Sequence, residues 1–383
     1  MHLVDTTLFY SPTSGGVKRY LHAKHAWLAA HASWRHSIVV PGEREHFEPG
    51  GVCLLPGKRM PGTCDYRLPL NPRRWRRMLE RLEPDVIEAG DAFHPAWCGA
   101  SVAERRGIPV AAFYHSSLPH ILRQRMGVHI ERAAQRYVRW LYERFDAVFA
   151  PSRLACRFLL DIGVPRVLHQ PLGVDAEIFN PEKALPDLRE RIGVPRDARV
   201  LVYAGRFSEE KNIPMLLEAF ERLGRPYHLL LIGGYARARL AANVTVLPYR
   251  ADSTELAQWI ASSDALVHAG TRETFGLVIL EAMACGRPVV AARGGALPEL
   301  IDDGVGVLAE PSAGGMAEAI EFLYRCDRHA LGAAARAQVL RRFTWDRVFQ
   351  SQLAAYAALA GARRREPIAT VGAGAVAELG NPR

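Results

Sequence analysis

Short apolar runs alternate with longer stretches of helical periodicity along almost the whole chain. The runs form two groups: HSIVV (36–40), VCLL (52–55), DVIEAG (85–90), PVAAFYH (109–115) and DAVFA (146–150), then RVLVYAG (199–205), HLLLIGG (228–234), VTVLP (244–248), DALVHAG (264–270) and PVVAA (288–292). Nearly continuous apolar runs are typical of strands in parallel sheets that helices cover on both faces. The pattern therefore predicts an α/β protein with two doubly wound parallel sheets.

The alternation is interrupted between residues 169 and 198 by prolines, Gly-Val pairs and mixed charges. Because such segments commonly link domains, we predict a first domain over residues 1–172 and a second over residues 173–344. The alanine- and glycine-rich tail, residues 363–383, has few bulky apolar side chains and is predicted to be disordered.

The chain has 383 residues and a formal net charge of +9, and its basic excess lies in the first half. Much of that excess falls in residues 71–84 and 121–145. Within the second stretch two sets of side chains recur at helical spacing, an apolar set of Ala133, Tyr137, Trp140 and Leu141 and a basic set of Arg132, Arg136 and Arg139. Two interpretations stay open: a solvated helix face, or a surface that attracts anionic lipid or a phosphate-bearing acceptor. No nucleic-acid-binding motif accompanies the charge, so no nucleic-acid partner is expected.

Other features of composition favour a cytoplasmic enzyme. The first residues lack a basic stretch followed by an apolar core, and no apolar run reaches the ~18 residues of a membrane span. The six cysteines are scattered without a CxxC pair or a Cys/His cluster, which argues against a zinc site, an iron–sulfur site or a disulfide framework.

Ligands of open parallel sheets bind beyond the carboxyl ends of the strands, so the loops there carry the candidate chemistry. In SPTSGGVKRYLHAK (11–24), Gly15 and Gly16 precede a predicted helix. Paired glycines let backbone amides approach a phosphate or a sugar at the positive end of a helix. A plain strand-to-helix turn explains the same pair equally well.

A second loop, in YAGRFSEEKNIPMLLEAF (203–220), places Arg206 and Lys211 directly after a strand. Two cations in that position can neutralise a pyrophosphate leaving group without a metal ion. The alternative is that they pair with Glu209 and Glu210 at the surface.

The stretch TRETFGLVILEAMACGRPVVAARGG (271–295) carries Glu273 in a loop and Glu281 along a predicted helix over residues 275–286. Amides near the helix start, at Phe275, Gly276 and Leu277, can bind phosphate. Eight residues of helix rise at most about 12 Å, so the two carboxylates can accept hydrogen bonds from opposite ends of one nucleotide sugar. Taken singly, each glutamate is better explained as an exposed or capping carboxylate; the combination of the two with the basic loop favours the nucleotide-sugar site.

Several motifs, in this order and spacing, resemble those of the retaining family 4 glycosyltransferases of GT-B fold. They are SGGVKRYL (14–21), LGVDAEIFNP (172–181), AGRFSEEKNIPMLLEAF (204–220), ETFGLVILEAMACGRPVVAARGGALPELI (273–301) and FTWDRVFQSQLAAYAAL (343–359). The resemblance covers nearly the whole chain. It implies two Rossmann-like domains that face each other across a cleft, with the acceptor on the first and the nucleotide sugar on the second. The helix over 345–362 is expected to cross back to the first domain.

The resemblance also implies roles for individual residues. Arg206 and Lys211 would contact the donor diphosphate, and Glu281 the ribose. Glu273 would hold the hexose, with Thr274 and the amides of Phe275, Gly276 and Leu277 around it. His115, which alone would be read as a structural residue at a strand end, matches the histidine that faces the anomeric centre. The loop over 247–252, with Tyr249 and Arg250, would lie along the base, and Gly15 and Gly16 would complete the donor site.

The implied reaction is transfer of a hexose from GDP-mannose or a UDP-hexose to a hydroxyl of a glycan or glycolipid, with the anomeric configuration retained. No metal and no cofactor besides the donor is expected. The setting is bacterial surface polysaccharide or glycolipid synthesis, in the cytoplasm or at the inner face of the plasma membrane. Two alternatives remain at this point: a sugar-nucleotide epimerase of the same fold, and a non-catalytic nucleotide-binding module.

Overall fold

Two parallel sheets flanked by helices organise the chain. The computed structural model describes residues 1–11, 15–60, 66–235 and 240–365. Each sheet has its own strands and its own covering helices, so the predicted α/β class with two sheets is confirmed.

The first sheet has the spatial order β3-β4-β2-β1-β6-β7-β8-β9, with β5 paired to β4. Its strands are β1 (His2–Thr6), β2 (Arg35–Gly42), β3 (His46–Glu48), β4 (Val52–Arg59), β5 (Arg67–Pro69), β6 (Val86–Ala89), β7 (Val110–Phe113), β8 (Ala147–Ala150) and β9 (Val167–His169). The second sheet has the order β12-β11-β10-β13-β14-β15. Its strands are β10 (Arg199–Ala204), β11 (Tyr227–Ile232), β12 (Val244–Leu247), β13 (Ala265–His268), β14 (Val289–Ala292) and β15 (Gly306–Ala309).

Helices cover both sheets. Around the first sheet lie α1 (Gly16–His31), α2 (Pro72–Arg81), α3 (His94–Arg106), α4 (Leu118–Met126), α5 (Val128–Tyr142) and α6 (Arg153–Asp161). The rest of the chain contributes α7 (Leu188–Arg191), α8 (Ile213–Leu223), α9 (Ser253–Ser262), α10 (Leu277–Ala284), α11 (Ala313–Arg325), α12 (Arg328–Arg342) and α13 (Trp345–Arg365). Among the described residues, no helix is both long enough and apolar enough to cross a membrane.

All ten apolar runs that were predicted as strands are strands. The described residues contain five further strands that the apolar pattern did not indicate, namely β1, β3, β5, β9 and β15. The most consequential of these is β1, which lies between β2 and β6 near the centre of the first sheet. It is fully buried although Asp5 and Thr6 interrupt its apolar character. At the sheet edge, β3 and β5 both pair with β4 in the antiparallel sense. The expectation of a purely parallel sheet is therefore wrong at this edge.

The basic stretch 121–145 is not one helix. Gly127, with a φ of 87°, separates α4 from α5. In α5 the buried face carries Ala134, Val138 and Leu141, so the apolar stripe expected at Ala133, Tyr137, Trp140 and Leu141 is wrong by one position for most members. Trp140 is 42% exposed because its ring packs on neighbouring aromatic rings at the surface and not in the core.

Helix α13 packs against the first domain. The indole N–H of Trp27 on α1 donates to Asp346 at 3.0 Å, and the amide of Gln352 donates to the buried Glu88 of β6 at 3.0 Å. These contacts are made inside the N-terminal half although the helix follows the second sheet. The helix runs to Arg365, three residues beyond the predicted end, and the predicted disordered tail beyond that point lies outside the described residues.

Candidate active site

The candidate site lies where elements of the two halves meet. The loop after β10 carries Arg206 and Lys211, and the loop after β13 carries Glu273. From the first half, α1 and the end of β7 approach the same region, because the hydroxyl of Thr274 donates to the backbone oxygen of His115 at 3.0 Å. The site therefore draws on strand ends of both sheets, as the topology of open parallel sheets favours.

Glu273 is held by two side chains of the second domain. The ammonium of Lys211 pairs with its carboxylate, and Nε2 of His268 lies 2.9 Å from the same oxygen. The His268 ring in turn stacks on Tyr203, with centroids 5.9 Å apart. Burial would raise the pKa of Glu273, but Lys211 and the His268 hydrogen bond outweigh it and hold that pKa well below its usual range. The carboxylate is therefore charged and fixed in direction. The alternative partners of Lys211, Glu209 and Glu210, are not the ones it uses.

His115 of the first domain adjoins the loop of Glu273 through its backbone oxygen, which accepts from Thr274. Its ring stacks on Phe113 with centroids 4.2 Å apart and contacts Tyr20 at 5.0 Å. Burial lowers the pKa of His115 to about 3, so the imidazole is neutral at any working pH. Its Nε2 is buried without a hydrogen-bond partner among the described residues, which leaves one polar ring atom available to a ligand.

The start of α10 meets the glycine pair of the first domain. Gly276 caps the helix with a φ of 100°, which a glycine adopts without strain. A Cβ atom added to Gly16 would stand 2.9 Å from Cδ1 of Leu277, so this side chain would have to shift to admit a larger residue. Gly15 is the N-cap of α1. The Phe275 side chain is buried against Phe343, so at this position the backbone amide alone is offered to a ligand.

Glu281 lies on the second turn of α10, and its carboxylate is already paired. Arg19 of α1 reaches across from the first domain and donates to Oε1. The Glu281 side chain is only 5% exposed. The expectation of a carboxylate waiting for a ribose is thus incomplete, because an arginine occupies it.

Three further predicted residues lie around this core. The backbone oxygen of Arg206 accepts a hydrogen bond from the Tyr203 hydroxyl at 2.9 Å, which fixes the loop. Tyr249 and Arg250 follow β12 and are partly buried. The Arg250 guanidinium pairs with Glu255 at 3.3 Å, so its present partner is a neighbouring helix.

Comparison with known proteins gives one consistent result. Sequence models described as "Glycosyltransferase Family 4" and "Glycosyl transferases group 1" match residues 14–178 and 198–326. A GDP-mannose-dependent alpha-(1-6)-phosphatidylinositol dimannoside mannosyltransferase of Mycobacterium tuberculosis is 31% identical over 95% of this chain and 98% of its own. The chain belongs to the family 4 glycosyltransferases. A GDP-mannose-dependent alpha-mannosyltransferase of the same organism is 30% identical over 82% of this chain and 83% of its own.

The fold comparison agrees. Sucrose-phosphate synthase of Thermosynechococcus elongatus superposes with a TM-score of 0.80 over 94% of this chain and 99% of its own, at 22% identity. The expected GT-B architecture is confirmed. The protein is therefore a glycosyltransferase that uses a nucleotide-sugar donor.

Two residues of this glycosyltransferase site were absent from the sequence-based prediction. Arg19 lies inside the motif SGGVKRYL, and His268, in the run DALVHAG, is the last residue of β13. The spacing from His268 to Glu273 is only five residues, so a polar residue at a strand end was the available signal. Arg19 gave no comparable signal, because its partner is 262 positions away.

The buried neutral His115 predicts a pH dependence of stability in this glycosyltransferase. An unfolded histidine has a pKa of about 6.5, whereas the folded value is about 3. Between those values the unfolded chain binds a proton that the folded chain does not, so stability is lost as the pH falls below 6.5. From pH 7 to pH 5, the free energy of unfolding of the wild type should fall by about 2 kcal/mol more than that of His115→Gln.

Urea unfolding at the two pH values measures this difference. Replacement of the exposed His129 by glutamine is the matched control and should leave the pH response of the wild type intact. Equal pH responses of the wild type and His115→Gln would mean that His115 is not held neutral.

Proposed function

We propose that the protein is a retaining, metal-independent mannosyltransferase that moves mannose from GDP-mannose to a hydroxyl of a glycolipid. The observation that carries the proposal is the pairing of Lys211 and His268 on Glu273, in a loop that contacts the backbone of His115. Nε2 of His115 has no hydrogen-bond partner among the described residues. Such a set offers one cation, one fixed anion and one neutral polar atom to a single bound sugar phosphate. The GDP-mannose dependence of the two mycobacterial relatives supports the choice of donor.

In this proposal the diphosphate lies between the loop after β10 and the glycine pair. Arg206 and Lys211 contribute the positive charge, and the amides near Gly15 and Gly16 at the N-terminus of α1 contribute hydrogen-bond donors. Lys211 pairs with Glu273 here and would share its ammonium between that carboxylate and the donor phosphate. An ammonium has three N–H donors, so both contacts are compatible.

The hexose lies between the two domains. Glu273 accepts hydrogen bonds from its hydroxyls, and the Thr274 and Phe275–Leu277 backbone supplies amides around it. His115 faces the anomeric carbon and, being neutral, acts through a hydrogen bond and not as a charged acid. Because His268 also holds Glu273 while Lys211 is shared with the phosphate, the carboxylate keeps its direction during the reaction.

The nucleoside lies along the second domain. We assign Glu281 to the ribose hydroxyls. The loop with Tyr249 and Arg250 is assigned to the base.

The chemical step is a substitution on one face of the sugar. The bond between the anomeric carbon and the diphosphate oxygen breaks, and its electron pair stays on the diphosphate, next to Arg206 and Lys211. The acceptor oxygen bonds to the anomeric carbon from the same face, and its proton passes to the departing diphosphate. Preorganised cations stabilise the charge that develops on the leaving group.

A panel of donors tests the proposal. GDP-mannose, UDP-glucose and ADP-glucose are each incubated with the enzyme, with and without phosphatidylinositol dimannoside as acceptor. We expect GDP release that depends on GDP-mannose and rises when the acceptor is present. Preferential turnover of UDP-glucose would contradict the donor, and an altered sugar nucleotide formed without acceptor would indicate an epimerase.

Metal removal is a further prediction. Because Arg206 and Lys211 supply the charge beside the diphosphate, turnover in excess EDTA should stay within about twofold of the untreated rate. The measurement is GDP release before and after chelation, with added magnesium as the comparison. Loss of turnover in EDTA with recovery on magnesium addition would show that a cation does the work assigned to the two side chains.

We also propose that the enzyme acts at the cytoplasmic face of a membrane and contacts it through an aromatic patch, defined as Trp97, Tyr137 and Trp140. Trp97 and Trp140 are 49% and 42% exposed, and their rings touch with centroids 5.4 Å apart. Arg144 lies 3.9 Å above the Trp140 ring. Exposed aromatic rings beside arginines fit the interfacial zone of an anionic bilayer.

Removal of this aromatic patch should weaken membrane binding. Trp97→Ala combined with Trp140→Ala should lower partition onto vesicles of phosphatidylcholine and phosphatidylglycerol by about tenfold or more, because each ring loses apolar contact with the bilayer. Co-sedimentation measures it. Phe322→Ala, which removes an exposed ring of the second domain, is the control and should bind as the wild type does. Equal binding of all three proteins would rule the patch out.

A further inference from the structure

The contact between Arg19 and Glu281 joins the two domains inside the donor site. Arg19 lies on the first turn of α1, three residues after Gly16, and Glu281 lies on the second turn of α10. The arginine side chain is 26% exposed and the glutamate side chain 5%. The guanidinium therefore covers a carboxylate that has little other access to solvent.

Helix α1 is fixed to the first domain by buried polar contacts. The ammonium of Lys24 donates to Glu88 at 2.8 Å and to Asp5 at 3.1 Å. The hydroxyl of Tyr20, the residue next to Arg19, donates to Glu88 at 2.9 Å. Because these partners are fully buried, α1 moves with the first domain, and the backbone of Arg19 cannot follow α10.

Glu281 therefore has two competing uses. As the ribose ligand it must accept hydrogen bonds from sugar hydroxyls, yet in this structure Arg19 occupies one of its oxygens and the side chain is 5% exposed. A ligand hydroxyl can reach a carboxylate that is 5% exposed only if the covering group turns away. A guanidinium cannot lose its charge at any ordinary pH, so after leaving Glu281 it requires another anion.

We propose that Arg19 is a gate residue of the donor site, which pairs with Glu281 in the ligand-free enzyme and is exchanged for the ribose when the donor binds. The released guanidinium turns to the donor diphosphate, which the amides of Gly15 and Gly16 hold one turn away at the start of the same helix. The exchange makes donor binding depend on both ends of the nucleotide. This inference rests on the assignment of Glu281 to the ribose in the proposed function.

The test separates ribose from phosphate. Arg19→Met removes the charge and keeps much of the side-chain length. Guanosine, which has a ribose and no phosphate, should bind this variant about tenfold more tightly than the wild type, because no ion pair has to be broken. GDP should bind it about tenfold more weakly, because the phosphate contact is lost. Ligand-observed NMR titration measures guanosine, and calorimetry measures GDP.

Two controls and one rescue variant sharpen the result. Lys18→Met removes a neighbouring cation that lies over the Tyr10 ring, and should leave the guanosine affinity unchanged. 2′,3′-Dideoxyguanosine lacks the hydroxyls and should gain nothing from Arg19→Met. Arg19→Lys, which restores a cation, should recover part of the GDP affinity.

The outcomes also distinguish the gate from the site itself. If the wild type prefers guanosine to the dideoxy compound and Arg19→Met brings no gain for guanosine, the ribose site stands and the gate is refuted. If the wild type does not distinguish the two nucleosides, and Glu281→Gln binds GDP as the wild type does, the ribose assignment itself fails. A gain for guanosine together with a loss for GDP supports the exchange.

Discussion

Replacement of Lys211 by alanine should lower kcat by about 10²- to 10³-fold at saturating GDP-mannose. The expected loss corresponds to ~3–4 kcal/mol, which is the usual cost of removing one preorganised group that stabilises charge in the transition state. Lys211 has a second role in this structure, because its ammonium also pairs with the buried Glu273. The variant thus weakens stabilisation of the leaving group and the fixation of the hexose carboxylate together. Steady-state release of GDP measures the effect.

Arg206→Ala should also lower kcat, since Arg206 follows the same strand as Lys211. Arg222→Ala is the control, because Arg222 is an exposed arginine of the same domain that pairs only with Glu218 one helical turn away among the contacts observed. The control should keep kcat within about twofold. Wild-type turnover in both Lys211→Ala and Arg206→Ala would place the diphosphate elsewhere.

Glutamine substitutions at Glu273 and Glu281 should affect different steps, the first turnover and the second GDP binding. Glu273→Gln should lower kcat by about 100-fold with little change in GDP affinity, because GDP has no hexose and the positive character that the carboxylate stabilises develops only in the transition state. Glu281→Gln should weaken GDP binding by about tenfold, since a ribose contact is similar in ground and transition states. Steady-state kinetics and calorimetric titration with GDP measure the two effects.

Each glutamate variant serves as the control of the other. The isosteric amide keeps the shape of the side chain and removes the charge, so packing around α10 should be retained. Thermal unfolding of both variants checks this. The reverse pattern, with GDP affinity lost in Glu273→Gln and kept in Glu281→Gln, would mean that the two ends of the donor are assigned backwards.

Most of the fold could be predicted from the sequence because parallel strands that are buried on both faces consist of continuous apolar runs. β1 escaped that criterion. Its Asp5 and Thr6 are polar yet buried, and Asp5 is compensated by Lys24 and His36. Those partners lie 19 and 31 positions away, and no local pattern reveals such a compensation. The antiparallel β3 and β5 are three residues each, which is too short for periodicity to register.

The positions of the candidate site residues were predicted better than their contacts. Most of the predicted residues lie in loops or at helix starts that follow strand ends, where ligands of open sheets bind. Glu281 lies one turn inside α10. The pairings were not foreseen: Lys211 lies on Glu273, 62 positions away, and Arg19 lies on Glu281. The first pair depends on which strand ends of the second sheet lie side by side, and the second on how the two domains face each other; sequence spacing encodes neither. Trp140 was misplaced because its ring packs on Trp97 of another helix in the same domain, a contact that local spacing does not encode.

The stereochemistry of the transferred mannose tests the central claim most directly. Purified enzyme is incubated with GDP-α-mannose labelled with ¹³C in the sugar and with phosphatidylinositol dimannoside, and the anomeric configuration of the glycolipid product is read from the one-bond carbon–proton coupling by NMR. The account predicts a mannosylated glycolipid with an α linkage, formed at the same rate in EDTA. A β-linked product, or no labelled glycolipid while free mannose accumulates, would contradict it.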